Sequence, residues 1–91
     1  MTDRDLLAGY VAVWWQAVAD QLALLDDLGP DDWATPTDLP GWTVHDVVAH
    51  TAHLEAVLAG APEETVEFTP GDHVRGLMGY YTEQGVVARR D

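Results

Sequence analysis

Apolar residues recur at helical spacing in three stretches of this chain, and the first stretch is the longest. From residue 3 to about residue 28, Leu7, Val11, Trp14, Val18, Leu22 and Leu25 make one stripe, and Leu6, Tyr10, Val13, Ala17, Leu24 and Leu28 make a second beside it. The joined face is wider than one neighbouring helix requires and leaves Gln16, Asp20 and Asp27 a narrow polar strip. Such a helix is expected to pack on several neighbours or to meet another subunit. Thr2 and Asp5 stand at capping-box spacing, and the acids at positions 3 and 5 suit the positive end of a helix dipole. Trp14 and Trp15 point about 100° apart on a helix, so they cannot clamp one ligand between them, and packing is the better reading. Gly29-Pro30 predicts a left-handed cap and a stop.

The loop 29–42 follows, with prolines at 30, 36 and 40 and with Trp33 and Trp42 expected to pin it to the helix ends. Asp31-Asp32 is read as hydrated, or as the cap of a short helical turn. A second helix is predicted over about 44–58. Thr43 is its cap, Asp46 takes the capping-box position, and Trp42 and Val47 are placed for a hydrophobic staple. Its apolar stripe is Val44, Val47, Val48, Thr51, Leu54 and Leu58. His50 falls roughly 60–80° off the centre of that stripe, His53 further round, and His45 nearly opposite, where it faces water.

Residues 61–71 read as an exposed acidic linker with a short extended piece at 65–68 and with Phe68 buried. The pattern over 72–91 is helical again, read as a short piece at 72–78 and a helix from Tyr80 onward, because Gly76, Gly79 and Gly85 each cost about 1 kcal/mol relative to Ala in a helix interior. Arg89 and Arg90 fall in its last turn, where they complement the dipole or grip an anion. His73 is expected at the surface. The whole reads as one all-α domain over 1–91, a partial up-down bundle whose third helix is cut by the C-terminus.

Composition narrows the function. Sixteen acids against four arginines give a formal net charge of −12, which opposes binding to nucleic-acid backbones and to anionic membranes. No apolar run approaches the roughly 20 residues needed to span a bilayer, and the N-terminus lacks a signal-peptide pattern, so a cytoplasmic protein is expected. With no cysteine there is no disulfide, thiolate metal site or cysteine nucleophile.

The histidines carry the remaining chemistry. His50 sits at the edge of a helix–helix groove, and two readings stand: a boundary side chain satisfied by a hydrogen bond or water, or a metal ligand reaching into a bundle. His50 and His53 are at i, i+3 and could chelate together, although the usual two-histidine helix signature is i, i+4.

Trp33 in an acidic loop, the run from Pro36 to Val44, and the block Asp46-Val47-Val48-Ala49-His50 resemble the N-terminal part of the DinB-like superfamily, most closely its mycothiol-dependent maleylpyruvate isomerase branch from actinobacteria. Asp72-His73-Val74-Arg75, Gly79-Tyr80 and the run from Val86 to Arg90 are similar to the segment that follows there. The resemblance implies a four-helix bundle that holds a divalent metal, often zinc, through three residues. His50 corresponds to the ligand on the second helix. The other two lie on the last bundle helix, which this chain ends too early to include. The resemblance further implies mycothiol or another low-molecular-weight thiol as cofactor, its pKa lowered by the metal for attack on an electrophilic substrate. The expectation for this chain is a metal-binding domain with an incomplete catalytic site. The alternative is a non-catalytic assembly module, and a homo-oligomer is expected in either case.

Overall fold

The protein is described by a computed structural model over residues 1–90. Among these residues there are four helices and no strand: α1 (Asp3–Asp26), α2 (Pro30–Trp33), α3 (Val44–Leu58) and α4 (Gly76–Ala88). The fold is all-α. Both local start signals are present, since the Thr2/Asp5 and Thr43/Asp46 pairs each form a reciprocal capping box.

Three local expectations change. Gly29 is not left-handed; at φ −88° it is the N-cap of α2, and Asp32 Oδ2 accepts a hydrogen bond from its backbone N–H at 2.8 Å. Arg89 and Arg90 do not fall in the last helical turn, since α4 ends at Ala88 with Arg89 as its C-cap. Residues 72–90 do not divide at Gly79. One helix starts at Gly76, whose φ of +69° only glycine adopts without strain, and runs through Gly79 and Gly85 to Ala88.

Between α2 and α3 the chain folds back on itself. Pro36 and Thr43 form an antiparallel bridge, and Thr37 N–H donates to the Trp42 carbonyl at 3.1 Å. The turn Leu39-Pro40-Gly41-Trp42 closes with Trp42 N–H on the Leu39 carbonyl, with proline in second place and Gly41 at φ +79°, the residue choice of a type II turn. This fixes where Trp42 leaves the loop and α3 begins.

α3 packs on α4 through an unusual face. The buried residues are Asp46, Ala49 and His53 on α3 and Glu83, Gln84, Gly85 and Val86 on α4. Ala49 and Val86 are the buried apolar side chains among the described residues. The expected apolar stripe of α3 does not enter this interface: Leu54 is 54% and Leu58 79% exposed. That stripe turns towards α1, which lies alongside in the opposite direction. Val18, Leu22 and Leu25 face Val48, Thr51 and Ala52 across a cleft of about 160 Å³. Tyr10, Val11 and Trp14 lie beside Leu58, and Trp14 Nε1 donates to Glu55 Oε1 at 3.1 Å. No residue of α1 is buried.

Candidate functional site

The site is built where α3 leaves the Trp42 turn. Two helical turns carry Asp46, Ala49, His50 and His53 along the side facing α4 and the loop. Their positions follow from the cap: Thr43 Oγ1 accepts from Asp46 N–H, and Asp46 Oδ2 accepts from Thr43 N–H at 3.0 Å, so the start of α3 cannot fray.

His50 is half-buried, with its ring centroid 5.3 Å from that of Trp42. Its Nδ1 is fully buried and has no hydrogen-bond partner. Burial, and then the neighbouring His53, lower the pKa of the ring below its usual value, so it is held neutral. A neutral imidazole is the form that binds metals.

His53 is the more deeply buried of the two, at 5% exposure, although its helix angle placed it further from the apolar stripe. The reason is on α4. Gly85 offers no Cβ, and one built there would lie 2.6 Å from the His53 ring. Arg89 Nη1 lies 3.2 Å from His53 Nδ1, and His53 Nε2 lies 3.2 Å from Glu63 Oε2. An arginine can only donate, so Nδ1 accepts and Nε2 carries the proton that faces Glu63. Both ring nitrogens are thus engaged, unlike those of His50.

Around this pair runs a lattice of charged groups. Arg90 Nε donates to Asp46 Oδ1 at 3.0 Å, and Arg90 Nη2 lies 3.6 Å from Glu83 Oε1. Trp42 Nε1 donates to Glu83 Oε2 at 2.7 Å. Burial pushes the Asp46 carboxyl up, but the Arg90 hydrogen bond and charge, together with the Thr43 N–H, outweigh it and leave the pKa lowered. On the other side Arg89 Nη2 pairs with Glu64 Oε1 at 2.7 Å, and Gln84 Nε2 donates to the Glu64 carbonyl. Phe68, half-buried, stacks on Tyr80 at 5.0 Å. The acidic linker is therefore strapped to α3 and α4 and does not trail in solvent.

Of the two further histidines, His73 is exposed as expected and His45 departs from expectation. His45 does not face water: it is half-buried with its ring edge-on to Trp33, centroids 6.0 Å apart. His73 is wedged between Gly41 and Gly71, where added Cβ atoms would lie 2.7 and 2.9 Å from its ring, and its Nε2 is 3.6 Å from Glu83 Oε2. With Leu39, Pro40, Trp42, Val74, Arg75 and Thr82 it lines an open cavity of about 370 Å³. Sequence reasoning missed Glu83 and Asp46 as partners of Arg90, because they lie on separate elements with no local spacing to join them. The one legible hint was an unusual pair of adjacent arginines at a helix end.

Among the described residues no group of three His, Cys, Asp or Glu side chains is placed to hold a metal ion. His50 suits one coordination position, by its unpartnered nitrogen and its neutrality. The described residues do not suit a complete metal centre, and His53 is committed to Arg89 and Glu63.

An all-α domain whose capped second long helix presents a histidine beside a tryptophan-closed loop is the class these features define. The chain belongs to the family described as the mycothiol maleylpyruvate isomerase N-terminal domain, whose model matches residues 14–91. Comparisons with curated proteins and with solved structures give no match.

Proposed function

We propose that this domain supplies one ligand, His50, to a divalent-metal site whose remaining donors lie outside residues 1–90, on another segment or another chain. The observation that carries this reading is the buried His50 Nδ1 without a partner. A nitrogen removed from water and left unpaired is destabilising by about 1–3 kcal/mol, so the arrangement makes sense where another group completes it. Family membership supports the same reading. The lattice around Asp46 and Arg90 then serves to hold the His50 turn still, which a metal ligand requires. With one donor from this chain, turnover by residues 1–90 alone is not expected. Zinc is the expected metal and a low-molecular-weight thiol the expected cofactor of the completed site.

The test is a zinc titration followed by the ring-nitrogen resonances of the four histidines, with metal content measured on wild type and His50→Ala. His50 nitrogens should shift on zinc addition, return with chelator, and account for the bound metal lost in the variant. A His50 ring that ignores zinc when the segment or chain supplying the remaining donors is present, with the protein folded, would refute the assignment.

A further inference from the structure

The two stripes of α1 have different fates. The first faces α3 from Val11 to Leu25. The second lies about 100° round the helix and, apart from Tyr10 beside Leu58, is largely uncovered from Leu6 to Leu24. On it Leu6 is 42%, Tyr10 69%, Val13 69% and Leu24 62% exposed. Nine of the sixteen exposed large apolar side chains belong to α1. Scattered apolar residues on a surface are ordinary, but an apolar stripe unbroken from Leu6 to Ala17, about three helical turns, is not.

The surface area gives the scale. The chain exposes 6920 Å², whereas a folded monomer of 10.0 kDa exposes roughly 5,200 Å². The surplus of roughly 1,700 Å² per chain lies within the range that each partner of an obligate interface buries. The radius of gyration agrees, at 15.6 Å against roughly 12 Å for a compact domain of this length.

Charge and shape say what covers the stripe. At a formal net charge of −12, two copies repel over most of their surface. From Leu6 to Ala19, however, there is no charged residue, so in an antiparallel pair acids oppose one another only at its two ends, Asp3 over Asp20. The stripe is also complementary to itself when reversed. In an antiparallel pair Leu6 of one copy lies over Ala17 of the other, and Tyr10 lies over Val13, setting large side chains against smaller ones across a two-fold axis.

We propose that the Leu6, Tyr10, Val13 and Ala17 face of α1 is closed by the same face of a second copy, as an antiparallel helix pair. The pairing is independent of the His50 assignment, since these residues lie on a different helix and none is a candidate ligand.

The experiment is the solution mass of the chain over a wide concentration range, for wild type and Val13→Asp. Val13 is 69% exposed in the single chain, so the variant tests the interface and not the helix. Wild type should be a dimer, and Val13→Asp should weaken association about a hundredfold or more. Should the variant unfold once separated, the chain's lack of cysteine allows a second measurement. Val13→Cys should cross-link between copies with a short bifunctional maleimide, and Met78→Cys on α4, 80% exposed, should not. A wild-type monomer at all concentrations, or cross-linking through Met78→Cys and not Val13→Cys, would overturn the proposal.

Discussion

α1 and the α3–α4 pair invert the usual relation between apolar sequence and burial. α1 has the broadest apolar face in the chain and no buried residue, while α3 and α4 meet through Asp46, His53, Glu83 and Gln84 with only Ala49 and Val86 as apolar filling. Hydrophobicity alone sets how much surface a helix gains by being covered, without naming the partner. Charged side chains with fixed geometry do name it. Arg90 can satisfy Asp46 and Glu83 together in only one arrangement of the α3 start, the α4 end and the Trp42 turn. In this protein the polar interface defines the geometry, and the apolar helix is the element left to be claimed.

Arg90→Ala is the strongest way to break that contrast. It leaves two carboxylates, 6% and 8% exposed, without their shared cation. Since the Arg90 side chain is itself 41% exposed, the lower end of the buried-pair range applies, about 3 kcal/mol, read from urea unfolding. A loss below about 1 kcal/mol would mean that water serves these acids as well as Arg90 does.

The pH dependence sharpens the comparison further. The folded pKa of Asp46 is lowered, so the unfolded chain takes up the proton first as the medium is acidified. The stabilisation is present above the unfolded value of about 3.9 and is lost as pH falls through the folded value below it. Thermal unfolding of wild type should therefore drop across this acid window, and Asp46→Asn should flatten the drop. An equal acid response in the variant would place the effect on other carboxylates.

The smallest change should come from α1. Leu24→Ser removes a large apolar side chain that is 62% exposed and lies beyond the overlap of the proposed helix pair. Its effect on the unfolding midpoint should stay within about 0.5 kcal/mol. A loss of several kcal/mol would show α1 to be packed far more closely in solution.

The features legible in the sequence were those written locally. Both capping boxes, the short turn capped by Asp32 and the all-α class follow from residues within four positions of one another. The ranking of the histidines was not legible. His53 is buried because Gly85 lacks a side chain, and in the sequence that glycine reads only as a weak point in a helix. Leu54 and Leu58 looked like core because periodicity reports an apolar face and not whether anything lies against it. The Asp46–Arg90–Glu83 lattice joins residues up to 44 positions apart, and no spacing rule reaches that far.

The contact between Gly85 and the His53 ring also acts as an index mark between two sliding helices. A shift of α4 by one turn along α3 would set Tyr81 or Arg89 against the imidazole, and a shift by three residues would set Thr82 or Ala88 there. Each of these brings at least a Cβ into the space the ring fills. Only one axial setting of α4 is admitted, and with it the height of everything on the adjoining turn of α3, His50 included, is fixed to a fraction of a helical repeat.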